Sequence, residues 1–161
     1  MTKLRKLTAL LLAGALTLLL LTACSGGGGS SGPEAQAEAE VMRAIRSNPS
    51  TASLAYDDEM RDIAKDKLAK ANLDTDLKGS IGGYGIYHKV YIDREKSTLT
   101  LIAQYDYKGT KLEELIKCIT SDSDASRLNF NQAGRWTKVG VAAKIHQGQT
   151  YIAITLQVKT T

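Results

Sequence analysis

YGIYHKVYIDREKSTLTLIAQYDY, residues 84–107, decides the fold. Two runs of β-branched and aromatic residues alternate with polar ones on either side of Asp93-Arg94-Glu95-Lys96, which is the signature of an antiparallel hairpin. With a side-chain period of two, Ile86, His88, Val90 and Ile92 share one face of the first strand. Tyr87, Lys89 and Tyr91 share the other. A second hairpin is expected near the end of the chain, from Trp136 to Ile145 and from Thr150 to Val158, with Gly148 in its turn. Trp136 reads as a core anchor.

Three helices complete the pattern. Pro33 suits a first helical position, and Asn48-Pro49 should stop the helix that begins there. Asp57 is placed to cap a second helix, whose Met60, Ile63, Ala64, Leu68 and Ala71 recur at helical spacing. Asp58 and Glu59 suit its positive end. Thr110 and Glu113 form a capping box before Leu112, Leu115, Ile116 and Ile119. A polar loop is expected from Ser121 to Arg135. Helices mixed with antiparallel hairpins give an α+β class.

Outward toward the N-terminus the chemistry changes. Lys3, Arg5 and Lys6 precede an apolar run from Leu7 to Ala23, the layout of a secretory signal peptide. The competing reading is a membrane-spanning helix, but this run is about 25 Å long as a helix, short of a hydrocarbon core of roughly 30 Å. Leu21-Thr22-Ala23-Cys24 resembles the lipobox of bacterial lipoproteins, in which a peptidase cuts before a cysteine that carries diacylglycerol. Ser25 to Gly32 has no large side chain to bury and reads as a flexible leash. The expected divisions are therefore 1–23 signal peptide, 24–33 lipidated cysteine and tether, and 34–161 globular domain.

Removal of the signal alters the charge. The whole chain has 21 basic and 17 acidic residues. Loss of Lys3, Arg5 and Lys6 brings the two nearly level, so no nucleic-acid footprint remains. With Cys24 acylated, Cys118 has no partner for a disulfide and reads as a small buried hydrophobe.

Motifs for chemistry are few. Gly79-Ser80-Ile81-Gly82-Gly83-Tyr84-Gly85 lacks the lysine of a phosphate loop and runs into a strand, so it reads as a turn. Gly28-Gly29-Ser30-Ser31-Gly32 spells a nucleophile elbow but has no strand before it. His88 lies on the apolar side of its strand, as a hydrogen-bonded core histidine does, and His146 sits at a turn, expected in solvent. No zinc or calcium motif is present, and no cofactor is expected. Tyr87, Lys89 and Tyr91 could stack a sugar or a base, or simply form a pleated surface under a helix. Tyr87, Tyr91 and the intervening His88 are the candidate ligand face.

Leu54 to Met60 followed by Ile63-Ala64 and Leu68-Ala69, then Ser123 to Phe130, and finally Trp136 to Val141 with Gly148 and Tyr151 to Ala153, together resemble a CAP domain. That superfamily contains the cysteine-rich secretory proteins, antigen 5 and the plant pathogenesis-related group 1 proteins. The resemblance covers about 110 residues at low identity. It implies an α-β-α sandwich, here about three helices on an antiparallel sheet of about four strands. It also implies a metal site of two histidines and two acidic residues. Ser126 stands where the second histidine would be, no glutamate occurs from Thr100 to Ala103, and His88 has no fixed register against the first histidine. The family's cysteines are absent too.

The expectation is thus a non-enzymatic, metal-free module, lipid-anchored on the outer side of the bacterial cell membrane, or in the outer membrane of an organism that has one. Its partners would be the membrane, through the anchor, and a protein, lipid or cell-wall ligand. The alternatives are an envelope hydrolase with a site not recognisable from sequence, and a small α+β inhibitor-like module.

Overall fold

The hairpin of residues 84–107 forms as two paired strands, β2 (His88–Asp93) and β3 (Thr98–Tyr105), joined through Arg94–Ser97. The computed structural model describes residues 32–77, 79 and 86–159. Cys24, the signal segment, the Gly/Ser leash up to Ser31 and most of the glycine cluster at 79–85 therefore lie outside the described residues. Among the described residues no helix is long and apolar enough to cross a membrane.

The closing hairpin is β4 (Trp136–His146) and β5 (Gln149–Val158). Its turn is Gln147-Gly148, with φ of 49° and 77°. Positive φ at both central residues matches a two-residue primed turn, whose twist suits antiparallel strands. A two-residue strand, β1 (Ala55–Tyr56), pairs parallel with β4 at Lys138 and Val139. The sheet is therefore mixed and five-stranded, in the order β1-β4-β5-β3-β2, rather than four-stranded and antiparallel. Two residues carry no periodic signal, which is why β1 escaped the sequence pattern.

Helix α1 spans Pro33–Ser47 and ends at Asn48, as the following proline requires. Helix α2 spans Asp58–Lys70, and the Asp57 carboxylate accepts from the Met60 amide at 3.2 Å. Helix α3 spans Leu112–Thr120. Its start is shifted by one residue from the expected capping box. The Glu114 carboxylate accepts from the Lys111 amide, while the Thr110 hydroxyl closes the preceding turn by accepting from the Asp106 amide. The stretch expected as a polar loop contains a fourth helix, α4 (Ser123–Arg127), capped by Asp122, and a 3-10 turn at Ala133–Arg135.

Helices cover both faces of the sheet. On one face α1, α3 and α4 bury Val41, Ile45, Leu115, Ile119 and Ala125 against Leu99, Leu101, Val139, Ile152 and Ile154. On the other, α2 places Ala64 and Leu68 over Ile102, Ala142 and Ala153. Strand β3 is paired on both sides, by β5 and β2, and its Leu99 and Leu101 point to one layer and Thr100 and Ile102 to the other, all buried. Each fully buried leucine contributes roughly 1.5–3 kcal/mol through loss of apolar surface from water.

Strand β4 is closed along its outer edge by α1. The Glu38 carboxylate accepts from the Ala143 amide at 3.1 Å, and that of Glu34 from the Ile145 amide at 2.8 Å. Glu38 also holds the Arg61 guanidinium at 2.7 Å, tying α1 to α2. Unpaired edge amides invite another strand, and here carboxylates occupy them.

Candidate functional site

Lys89 and Tyr91 share the face of β2 toward α2, because they pair with Ile102 and Thr100, and Tyr87, one residue before the strand, continues the same parity. Tyr87 is half exposed, at 51%, and its carbonyl accepts from the Gln104 amide, which extends the ladder beyond β2. Tyr91 is half-buried against the Ala64–Leu68–Ile102 cluster, and its hydroxyl donates to Asp76 at 3.5 Å. Burial, then the Asp76 carboxylate, raises the Tyr91 phenol above its ordinary value.

The tyrosine ring is also a seat for two cations. Lys89 Nζ lies 4.8 Å from the centroid and Lys67 Nζ 5.6 Å from it, both within cation–π range. Lys67, on α2, was not among the residues expected from sequence. Its signal was only that it lies three residues after Ala64 and four before Ala71, on the flank of the packed stripe. Nothing in the sequence says which strand that flank meets.

His88 projects to the opposite face of β2, with Val90 and Ile92, so the sheet separates it from Tyr87 and Tyr91. Its ring nitrogen Nδ1 is 3.1 Å from the Ile86 carbonyl. The ring packs against Gly79, whose φ of 98° suits glycine and where a Cβ would come within 3.3 Å of the imidazole. The hydrogen bond is the one expected of a core histidine on the apolar side of the strand, but the ring is half-buried rather than in the core. His146 differs from expectation. It is half-buried rather than free in solvent, with Nε2 3.2 Å from both oxygens of Asp74. The two histidines lie on opposite sides of the sheet.

Ser126 sits in α4, which packs beside β2 on the His88 side. Its amide donates to the Asp122 carbonyl, and the residue is exposed. A four-donor site of the CAP type therefore does not fit these residues: one half-buried histidine and one exposed serine share a side, and the second histidine is across the sheet. Among the described residues no three of His, Cys, Asp and Glu are grouped to hold a metal ion.

Cys118 is buried in α3 among the residues of the apolar layer. Burial pushes its thiol up to about 11, so it is no thiolate nucleophile at neutral pH. Trp136 is buried, and its indole N–H donates to the Phe130 carbonyl at 2.7 Å, fixing the chain after α4. A void of about 10 Å³ lies among Ile45, Leu54, Leu112, Trp136 and Ile154. It is entirely apolar and water-sized, a packing defect rather than a ligand pocket.

At the N-terminus of α2, Asp57 both caps the helix and pairs with Lys138 at 2.9 Å. The hydrogen bond from Lys138, then that from the Met60 amide, holds its carboxyl below the usual range. No protein-family model, no curated protein and no solved structure matches this chain.

Proposed function

We propose that the chain is a bacterial lipoprotein whose domain, a CAP-like sandwich without the family's metal site, works as a binding module at the cell envelope. The observation that carries this reading is Leu21-Thr22-Ala23-Cys24 at the end of the apolar run, followed at once by a leash with nothing to bury. An acylated cysteine gives durable membrane attachment because several acyl chains act together.

Three features support the module over an enzyme. The helices flank the sheet on both faces, as the CAP resemblance implies. Ser126 is an exposed residue at the position of a ligand histidine, and serine is a poor donor for zinc. Exposed Tyr87 with half-buried Lys89 and Tyr91 beside it has the character of a recognition surface.

Two measurements test this reading. Replacement Cys24→Ala should leave an unprocessed precursor, and normal processing of that variant would remove the lipoprotein assignment. Calorimetric titration of the protein with zinc should show no stoichiometric binding. Tight one-to-one binding that His88→Ala abolishes would return the chain to metal-dependent chemistry.

A further inference from the structure

Two lysine ammoniums converge on one aromatic ring without an acidic partner. Lys67 on α2 and Lys89 on β2 approach the Tyr91 centroid at 5.6 and 4.8 Å, which keeps them within about one Debye length of each other. Every Asp and Glu of the chain is among the described residues, yet neither lysine takes part in an ion pair. The contrast with their neighbours is direct: Lys70 pairs with Asp66, and Lys138 with Asp57. Asp76 contacts the far end of Tyr91, at its hydroxyl.

Two like charges held this close repel, and an anion placed between them relieves the repulsion. The ring fixes both ammoniums, so part of the ordering cost of binding is met before the ligand arrives. Tyr91 is thereby a positioning residue, its ring engaged by the lysines rather than left open for stacking. Tyr87 is the open ring, four residues along the same strand face, or roughly 13 Å away. An exposed tyrosine offers a flat apolar platform with a polar tip, suited to the body of a sugar.

We propose that Lys67 and Lys89 form an anion site for a phosphate group, and that Tyr87 receives the sugar that carries it. The site accepts a phosphosugar as its ligand class, which specifies the binding-module reading of the same face and rests on it. No covalent step is involved.

The test is amide-shift titration by NMR of the full-length protein with inorganic phosphate, glucose 6-phosphate and glucose. Glucose 6-phosphate should bind more tightly than inorganic phosphate, with shifts centred on Lys89, Tyr91 and Lys67, and glucose alone should not bind. Lys67→Gln and Lys89→Gln should each weaken glucose 6-phosphate by about tenfold, the worth of a charge-assisted hydrogen bond. Lys65→Gln, an exposed lysine on the same helix, should leave affinity unchanged. Tyr91→Phe keeps the ring and should retain binding, whereas Tyr91→Leu releases the lysines and should weaken it. Thermal melts of each variant separate loss of binding from loss of fold.

Absence of binding by both phosphate probes, or equal weakening by Lys65→Gln, overturns the anion site. Binding of glucose as tight as that of its phosphate does the same, while leaving a recognition face in place. Unchanged glucose 6-phosphate affinity in Tyr87→Ala overturns the sugar half. Failure of Cys24 processing would remove the anchor and leave these titrations unaffected, so the two readings fail separately.

Discussion

The two faces of one sheet are built on opposite principles. Toward α1, α3 and α4 the strands present Leu99, Leu101, Ile152, Ile154 and Leu156, and the helices answer with Leu115 and Ile119. Toward α2 the same strands present mainly smaller residues, Thr100, Thr155, Gly140, Ala142 and Ala153, with Ile102 and Tyr151 among them. The first face is stabilised by large side chains interdigitating, the second by the closeness that small ones allow. At Gly140 that closeness is extreme: a Cβ would meet the Arg61 amide nitrogen at 2.0 Å. A face of close approach leaves its rim to long charged side chains, and the lysine pair at Tyr91 lies on that rim. The lesson is that in a sandwich of this kind one layer carries the core while the other can carry a surface.

The comparison is broken most severely by adding atoms to the α2 face. Gly140→Val should cost more than about 3 kcal/mol, because the obstacle is helix backbone that cannot rotate away. Chemical denaturation measures it, and a loss under 1 kcal/mol would mean that α2 sits less tightly on β4 than the geometry gives. On the other face the damaging change is removal. Leu101→Ala should cost about 3 kcal/mol by leaving a cavity among residues already close-packed.

Both faces respond to alkaline pH, since the Tyr91 phenol on the α2 side is also raised by burial, but the two largest rises lie in the apolar layer. Burial, then Glu40, pushes the Tyr105 phenol up to about 12, and burial pushes the Cys118 thiol up to about 11. Both groups lie in the apolar layer and are neutral when folded. A raised pKa in such acids gives stability that is complete below the unfolded values, near 9 and 10, and is lost as pH rises through the folded ones. Stability should therefore fall from about pH 9 to pH 12, by roughly 2 kcal/mol for each group. Asp57, on the α2 side, has a depressed pKa. Its contribution holds above the ordinary carboxylate value and is lost as pH falls below about 4. Melting across pH, with Cys118→Ala and Asp57→Asn, separates the alkaline limb from the acid one.

The smallest effect is at the threonine pair. The hydroxyls of Thr100 and Thr155 bond at 2.9 Å inside the α2 face. Thr155→Val strands one buried hydroxyl and should cost about 1 kcal/mol, and adding Thr100→Val should restore most of it, since removing both partners leaves nothing unsatisfied. A double variant as unstable as the sum of two single losses would show that the pair contributes more than mutual satisfaction.

What was legible in the sequence followed from periodicity. Alternation from Tyr84 to Tyr107 and from Trp136 to Val158 gave both hairpins, and Asp57 with the Met60-Ala64-Leu68 stripe gave α2. Features without a period were hidden. β1 is two residues long, and α4 is almost wholly polar, its one buried residue, Ala125, being too little to mark a face. The Tyr87–Tyr91 side of β2 was visible from strand parity, but its meeting with Lys67 depends on how α2 lies across the sheet. Such a contact joins residues 24 apart in sequence, and no local rule connects them. His88 was correctly placed on the apolar side, and for that reason it stands apart from the tyrosines it follows and precedes.

The lipid anchor is the claim on which the biological setting of both faces depends, and intact mass of the mature protein purified from membranes tests it most directly. The expected mass is that of a chain beginning at Cys24 with diacylglycerol on its sulfur. A mature chain that begins elsewhere, or an unmodified Cys24, would contradict it.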